Sequence, residues 1–417
     1  MVDFIQEIYA TVMRNKLRTL LTGLAVSWGI FMLIVLLGAG NGVINAMNEQ
    51  SAGLNLNSVE VYPGTTTKAY KGLSEGRNIA FTNKDTKDTR RHFTNEISET
   101  GATLSLPGIT LSRGGSYVSL NLKGVTPNIQ HINGIKLVKG RFVNSKDIAL
   151  RRKIIIIHTK AAENLFKGKQ NGIGHYIKAN QSEYLVAGIY TDRGDVGTPD
   201  ALVPLTTLQA VYGKGDSLST LAFNTKDMTT KAANDTFDNR FRFMMGQTHL
   251  FSPDDMGAIW IANHFTQYLQ QQKGTNILRI SIWVVGLLTL LSGVVGVSNI
   301  MLITVKERTH EFGIRKALGA TPFSILKLII IESIVITTFF GYVGMTAGIA
   351  VTEYMNLLAG EQTVDSGVLT FTVFKNPTVD ISIAIQATLT LIIAGTLAGF
   401  FPARKAAMVR PIEALRN

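Results

Sequence analysis

The sequence contains no cysteine among its 417 residues. Disulfide bonds, thiolate catalysis and cysteine-based zinc sites are therefore excluded for this chain. Charge is also scarce, because Asp, Glu, Lys and Arg make up 17% of the residues, against about 25% in soluble domains. Because disulfide bonds are excluded, any folded domain must be stabilised by core packing alone.

Motifs for catalysis, metal binding and nucleotide binding are missing as well. None of the seven histidines has a metal-ligand spacing such as His-Glu-x-x-His, and no Ser/His/Asp order is convincing. The glycine-rich run from Gly38 to Gly42 lacks the lysine of a phosphate-binding loop. Despite a formal net charge of +12, no dense basic run with interleaved aromatics occurs. We therefore expect no enzyme, no metal or cofactor in this chain, and no nucleic-acid partner.

What the chain has instead is four long apolar runs. A helix needs about 20 apolar residues to cross the hydrocarbon core, because each residue adds about 1.5 Å. The runs that meet this length are 20–40, 280–305, 325–352 and 381–401. We predict an α-helical membrane protein with four transmembrane helices over these ranges. The first run exceeds the core of a signal peptide, about 7–15 residues, so we expect it to be retained.

Basic residues beside the runs predict their orientation, since short cytoplasmic flanks are enriched in Lys and Arg. Three basic residues precede the first run, four lie between the second and third, and four come after the last. The external loop 353–380 has only Lys375 against four acids. We predict an inner (plasma) membrane protein with both termini and segment 306–324 in the cytoplasm, and with segment 41–279 in the periplasm.

Segment 41–279 shows alternating strand and helix patterns, which predict an inserted α+β domain with two lobes. Ile109–Leu111 and Tyr117–Leu122 flank Gly114-Gly115, a pattern typical of a β-hairpin. Lys153–Ile157 is a short apolar run and predicts a buried strand.

The end of this segment predicts a stalk. Ser252-Pro253-Asp254-Asp255 offers a helix cap, a proline for the first turn, and acids at the positive end of the helix dipole. We therefore predict a stalk helix over 253–279 that leads directly into the second transmembrane helix. A helix can carry motion mechanically, which a flexible linker cannot.

Three shorter segments are predicted on the cytoplasmic side. Residues 1–19 place apolar side chains on one helical face and predict an amphipathic helix on the inner leaflet, with a plain extension of the first span as the alternative. Segment 306–324 predicts a short amphipathic helix ended by Gly319. Residues 402–417 form a basic tail.

Small residues and one acid stand out inside the apolar runs. Pairs of small residues four apart let helices approach closely, and both packing within one subunit and a dimer seam remain open for them. The pairs are Ser292 and Gly296, Gly344 and Gly348, and Gly395 and Gly399. Glu332 lies in the third run, where a carboxylate at the helix centre costs about 2.5–3.5 kcal/mol. We expect it to face the bundle interior in a structural role, with coupling and ion transport as the alternatives.

Several segments together resemble one family. Residues 307–320, Glu-Arg-Thr-His-Glu-Phe-Gly-Ile-Arg-Lys-Ala-Leu-Gly-Ala, resemble the loop after the second span of MacB/FtsX-type ABC transporter permeases. Segments 402–407 and 410–416 resemble that family's C-terminus, and 15–22 its start. The order of one span, a large outer domain and three further spans is also similar, so the resemblance covers the whole chain.

The resemblance implies a permease that dimerises, with itself or with a homologous permease, and pairs with a separate ABC ATPase that carries ATP and Mg. It implies that segment 306–324 is the coupling helix that sits in a groove of that ATPase. The coupling residues carried over are Glu307, Arg308, Glu311, Gly313, Arg315 and Gly319.

The implied function is transmission of ATP-driven motion to the periplasmic domain, with no substrate passing through the spans. The expected outcome is efflux of a drug, peptide or other periplasmic substrate, with a periplasmic adaptor and an outer-membrane factor as further partners. Lipoprotein extraction and cargo-free regulation of cell-wall hydrolases are the alternatives. A membrane-anchored enzyme is disfavoured, since it would not need three further spans.

Overall fold

The computed structural model describes residues 16–51, 55–167, 172–191, 200–365, 370–379 and 381–408. Most of the amphipathic helix predicted at 1–19 and the end of the tail, 409–417, lie outside the described residues. The chain divides into two compact units. The helical unit comprises Met1–Met47, Gly274–Thr363 and Thr372–Asn417, and the inserted domain comprises Asn48–Lys273 and Val364–Phe371.

The elements are arranged along the chain as alternating strands and helices between two long helical stretches. The helices of the described residues are α1 (Lys16–Ser51), α2 (Asn83–His92), α3 (Ile129–Ile132), α4 (Ser145–Ala149), α5 (Thr159–Phe166), α6 (Leu205–Val211), α7 (Lys231–His249), α8 (His264–Glu307), α9 (Thr309–Ala317), α10 (Pro322–Ala359) and α11 (Ile381–Met408). The strands are β1 (Ser58–Pro63), β2 (Phe81–Thr82), β3 (Ile97–Arg113), β4 (Ser116–Val125), β5 (Lys136–Gly140), β6 (Ile154–His158), β7 (Tyr176–Ala179), β8 (Ser182–Thr191), β9 (Ala201–Pro204), β10 (Ser217–Leu218), β11 (Thr220–Thr225), β12 (Ile259–Asn263), β13 (Glu361–Asp365) and β14 (Thr370–Lys375).

In the part of the inserted domain that the structure describes, ten strands form one mixed sheet, in the order β12-β1-β11-β3-β4-β9-β6-β8-β5, with β7 beside β3 and β8. The sheet is continuous through the domain because β3 is 17 residues long. Its first half pairs with β11 and its second half with β4. The division into two lobes stays a prediction.

Both faces of the sheet are covered by apolar cores. In β6, Ile155 and Ile157 belong to the larger core, whereas Ile154 and Ile156 belong to a second one. Alternate side chains of a strand point to opposite faces, so the two cores lie on opposite sides of the sheet. The uninterrupted apolar run predicted as a buried strand is confirmed.

The predicted β-hairpin is also confirmed. β3 and β4 pair in antiparallel register up to Arg113 and Ser116. The two residues between them, Gly114 and Gly115, have φ angles of +52° and +85°. Two consecutive positive φ values are what a tight two-residue turn demands, and glycine adopts them without steric cost.

The helix predicted to start at residue 253 is wrong. Asp255 is fully buried, and its carboxylate accepts hydrogen bonds from the backbone N–H groups of Thr67 (2.7 Å), Lys68 (3.1 Å) and Gly257 (3.0 Å). The acid therefore closes a loop of the inserted domain instead of opening a helix. Residues Ile259–Asn263 then pair with β1 as an edge strand.

The stalk helix begins at His264 instead. The side-chain oxygen of Asn263 accepts hydrogen bonds from the backbone N–H groups of Phe265 (3.1 Å) and Thr266 (3.4 Å), which caps the first turn. From there α8 continues without interruption to Glu307, over 44 residues. One helix therefore covers the predicted stalk and the predicted second span, with a start eleven residues later, at 264 instead of 253.

Among the described residues, α1, α8, α10 and α11 are long and apolar enough to cross a membrane. Glycines bring these helices together. A Cβ at Gly344 of α10 would clash with the backbone carbonyl oxygen of Ser27 in α1, and a Cβ at Gly348 would lie 2.8 Å from Cβ of Ile34. This predicted pair therefore packs against another helix of the same chain.

The pair on α11 packs in the same manner against α10. A Cβ at Gly395 would lie 2.6 Å from Cγ2 of Thr337, and one at Gly399 would lie 2.7 Å from Oγ of Ser333. The Ser333 hydroxyl also donates a hydrogen bond to the carbonyl oxygen of Gly395, at 3.3 Å. α10 is thus in close contact with α1 along one part of its length and with α11 along another.

On α8 the packing residues differ from the predicted pair. Ser292 is exposed, and a Cβ at Gly296 would only reach ordinary contact, 3.5 Å from Cβ of Ala25. The closer approach is at Gly293, where a Cβ would lie 3.0 Å from the carbonyl oxygen of Ala25, and at Gly286, where it would clash with Leu33. These two glycines are seven residues apart, two helical turns on the same face.

Asp147 organises the segment from Arg141 to Arg152 in the inserted domain. Its fully buried carboxylate accepts hydrogen bonds from the guanidinium of Arg141 and from the backbone N–H of Asn144 (3.0 Å), and Arg152 lies 3.7 Å away. Burial by itself would raise the pKa of Asp147, but the hydrogen bonds from Arg141 and Asn144 and the charges of both arginines outweigh it. The net effect holds its pKa below the usual value.

We predict that Asp147→Asn lowers the free energy of unfolding by about 1–3 kcal/mol at pH 7, because two arginines lose a buried partner. A lowered carboxyl pKa stabilises the fold above the unfolded-state value of about 3.9. That stabilisation is lost as pH falls through the folded-state pKa, so the two proteins should begin to converge only below about pH 4. Hydrogen exchange of residues 141–153 in the full chain measures the effect. The exposed Asp216→Asn is the control, and an Asp147 variant as protected as the parent at pH 7 contradicts the prediction.

We further predict that Gly344→Ala destabilises the helical unit by about 1–3 kcal/mol, because the added methyl group pushes α10 away from the α1 backbone. Gly274→Ala is the matched control, since Gly274 is also helical but has no atom within 4 Å of the added Cβ. It should be neutral or stabilising by up to about 1 kcal/mol. Unfolding midpoints of both variants in detergent provide the measurement, and equal midpoints contradict the predicted contact.

Candidate functional site

The most charged part of the helical unit is α9 and the turns around it. Only Arg308 separates the end of α8 from the start of α9. After α9, Gly319 adopts a φ of +99°, which side chains rarely tolerate. The predicted short helix that ends before Gly319 is therefore confirmed. Thr321 then caps α10, its hydroxyl accepting from the N–H of Ser324 (3.3 Å).

Arg308 is the centre of an ion-pair network. Its Nε and Nη2 atoms donate to the two carboxylate oxygens of Glu311, at 2.9 and 3.1 Å, a bidentate arrangement that fixes both side chains. Its Nη1 donates to Oε2 of Glu332 on α10, at 3.3 Å. The guanidinium thus joins carboxylates from two helices.

Glu311 extends the network along α9. Its Oε1 also accepts a hydrogen bond from Nη2 of Arg315, at 2.8 Å. The hydrogen bonds from Arg308 are the main reason that the pKa of Glu311 lies below its usual value, with further contributions from the charges of both arginines. The acid in the first turn and Arg315 with Lys316 in the last also complement the helix dipole.

One face of α9 is fixed by an apolar core. Phe312 is buried, and the Arg308 guanidinium lies 5.3 Å from the centre of its ring, a cation–π contact. Gly313 is buried beside it. The core around Phe312 is formed by Val305, Ile325, Leu328, Ile329 and Ala403. Residues from α8, α10 and α11 thus hold this face of α9.

The other side of the site exposes an apolar surface that we call the α9 ridge, formed by Ile314, Leu318 and Phe323. The exposed fractions of Leu318 and Phe323 are 83% and 71%. Leu318 follows Arg315 and Lys316 of the last turn of α9, and Phe323 lies in the first turn of α10. An exposed apolar set with basic neighbours is typical of an interaction surface.

The structure places the predicted coupling residues in three settings. Arg308, Glu311 and Arg315 form the ion-pair network, Gly313 is buried against the core, and Gly319 makes the turn that leads to α10. Glu307 is exposed at the end of α8. Their role in coupling stays a prediction.

The structure connects residues that the sequence did not connect with the site. Glu332 was expected to face the bundle interior, and it is buried, but its partner Arg308 lies 24 residues earlier in the chain. Phe312 and Phe323 also belong to the site, and the sequence analysis did not single them out.

Two family profiles match this chain. Residues 19–239 match the family described as MacB-like periplasmic core domain, and residues 283–411 match the FtsX-like permease C-terminal family. The resemblance to MacB/FtsX-type permeases seen in the sequence is confirmed by these two matches.

Among the described residues no cluster of His, Asp and Glu suited to a metal ion occurs.

Similar full-length proteins carry the name macrolide export ATP-binding/permease protein MacB. The protein from Chlorobium luteolum is 28% identical over 429 residues, covering 100% of this chain and 60% of the relative. The protein from Campylobacter jejuni is 26% identical over 417 residues, covering 98% of this chain and 60% of the relative. The chain therefore spans about 60% of the length of these relatives.

Two solved structures are each similar to about half of this chain. The periplasmic region of MacB from Actinobacillus actinomycetemcomitans is 16% identical, covers 54% of this chain and 97% of that chain, and has a TM-score of 0.43. The extracellular domain of the transporter YknZ from Gram-positive bacteria is 17% identical, covers 50% of this chain and 100% of that chain, and has a TM-score of 0.41.

The family profiles decide the assignment. The MacB-like profile alone matches more than half of the chain, and the FtsX-like profile matches most of the C-terminal part, from Trp283 onward. This chain belongs to the family of proteins with a MacB-like periplasmic core domain, joined here to an FtsX-like permease C-terminal domain.

Proposed function

We propose that this chain is the permease of a MacB-type ABC exporter, in which an ABC ATPase moves α9 and the motion reaches the inserted domain. The observation that carries the proposal is the two-sided character of α9. One face is locked into a core of three other helices, and the other side exposes the apolar α9 ridge. A helix built in this way can receive a force from a docked partner.

The charge network supports the transfer of that force. Close-packed side chains are hard to compress, so a push on the ridge is passed on to the helices that hold Phe312. The pairs that Glu311 makes with Arg308 and Arg315 keep the side chains of α9 in one arrangement. The free energy of ATPase binding is then not spent on rearranging the side chains of α9.

The path to the inserted domain is α8. With 44 residues and a rise of about 1.5 Å per residue, α8 is about 66 Å long, roughly twice the hydrocarbon thickness of a bilayer. A helix of this length carries displacement from one end to the other without a joint. We propose that it acts as the rod between the membrane and the periplasm.

The proposed orientation is based on the basic flanks of the spans. The α9 ridge and both termini face the cytoplasm, and the inserted domain lies in the periplasm. The chain acts as a homodimer or with a homologous permease, and a periplasmic adaptor with an outer-membrane factor completes the export route. Since the relatives are named for macrolide export, macrolides are the first cargo to test. That name favours export over lipoprotein extraction and hydrolase regulation.

We predict that Leu318→Glu combined with Phe323→Glu weakens binding to the ATPase at least about tenfold, because two charges replace the apolar centre of the contact. Co-purification of the permease with a MacB-type ABC ATPase from the same organism, together with stimulation of ATP hydrolysis, provides the measurement. Leu357→Glu is the matched control: it lies on the same helix as Phe323, near the opposite end, and is 83% exposed like Leu318. Undiminished binding by the ridge variant contradicts the proposed docking surface.

We also predict the topology that the proposal requires. Because the chain has no cysteine, single cysteines at the exposed positions Leu150 and His310 can be labelled without background. A membrane-impermeant thiol reagent added to cells with a permeable outer membrane should label Leu150→Cys, and should label His310→Cys only after the inner membrane is opened. The reverse pattern contradicts the proposed function.

A further inference from the structure

We propose that Arg308 and Glu332 form a clamp that fixes α9 to α10, so that motion of α9 is delivered to α10 as well as along α8. Glu332 is in this view a positioning residue for coupling. The inference rests on the proposed function and extends it, because it names the helix that receives the motion and the pair that transmits it.

The first support is the burial of both charges. The side chains of Arg308 and Glu332 are 15% and 7% exposed, and their closest atoms are 3.3 Å apart. Glu332 stands ten residues after Pro322, about 15 Å along the helix, within a span whose neighbours are mostly apolar. An ionised carboxylate there is costly without a charged partner. The side chain of Arg308 reaches into the bundle and supplies that partner.

The second support is the geometry of the guanidinium. Nε and Nη2 hold Glu311 on α9, and Nη1 holds Glu332 on α10. The planar guanidinium presents its donors in a fixed fork, which an ammonium group cannot imitate. One rigid group therefore determines the distance between two carboxylates on different helices, and with it the position of α9 on α10.

The third support is the place of α10 in the helical unit. Ser333, directly after Glu332, lies against Gly399 of α11, and Gly344 lies against α1. A shift of α10 must therefore displace both neighbours. Without the clamp, this ion pair between Arg308 and Glu332 is lost, while the apolar core around Phe312 and the turn at Gly319 still connect α9 to α10. The main route for motion is then the peptide link at Arg308 into α8.

The test uses Glu332→Gln in two measurements. Spin labels on His310→Cys and Lys327→Cys report the α9–α10 distance, and the absence of native cysteine keeps the labelling specific. We expect the distance distribution to broaden or shift. Stimulation of the ATPase should fall about fivefold, whereas binding to the ATPase should be unchanged, because Glu332 is buried and is not part of the α9 ridge. Glu353→Gln, the same change at an exposed acid of α10, should alter neither.

Two further variants keep the test decisive. Arg308→Lys retains the charge but cannot bridge both carboxylates, so it should reproduce the loss seen with Glu332→Gln. The double variant Arg308→Gln with Glu332→Gln removes both charges of the pair. If Glu332→Gln alone does not accumulate in the membrane, the spin-label distances and the ATPase stimulation are measured with the double variant. It should lose no more stimulation than either single change.

An unchanged distance distribution together with unchanged stimulation in these variants overturns the clamp, and so does a loss of ATPase binding with Glu332→Gln. The spin-label distances are measured without the ATPase. The clamp can therefore fail while the docking function stands, and a ridge variant that binds normally refutes the docking function while the clamp stands.

Discussion

The helical unit depends on one electrostatic constraint: a carboxylate placed among apolar helices needs a positive partner. Glu332 meets this requirement through Arg308, a residue that lies outside its own helix, so the demand for charge neutralisation also decides where α9 sits. The position of α9 in turn places Phe312 in its core and leaves Leu318 exposed, next to the exposed Phe323 in the first turn of α10. The need to pair the buried carboxylate of Glu332 thus helps to determine which side chains of α9 are exposed.

Much of the architecture could be predicted from local sequence signals. Runs of apolar residues determine membrane helices by length and composition alone, and Gly114-Gly115 and Gly319 stand where the backbone needs positive φ. The predictions that failed concern segments whose structure depends on contacts distant in sequence. The segment before Asp255 has every local feature of a helix start, but the carboxylate is used by backbone groups nearly 190 residues away. In the same way, no spacing rule connects Arg308 with Glu332.

The packing of the helices shows that a difference of one residue decides whether a small side chain lies at a helix contact. Ser292 and Gly293 are neighbours in sequence, but one residue corresponds to a rotation of about 100° around a helix. Gly293 therefore lies against the backbone of α1, and Ser292 is exposed. Composition identifies helices that can approach closely, and the rotation of each helix depends on the sum of its contacts. For Gly344 and Gly348 the spacing and the final contact agree, because both lie on the face that α10 turns toward α1.

The unbroken course of α8 limits how proteins built in this way can change over time. Because each residue of a helix adds about 1.5 Å and 100°, inserting one residue between Asn263 and Arg308 would turn everything beyond it by more than a quarter of a circle. Insertions of seven residues come close to two full turns and nearly restore the original direction. Loops of the inserted domain can vary freely in length, whereas lineages should alter this helix only in such steps or leave its length untouched.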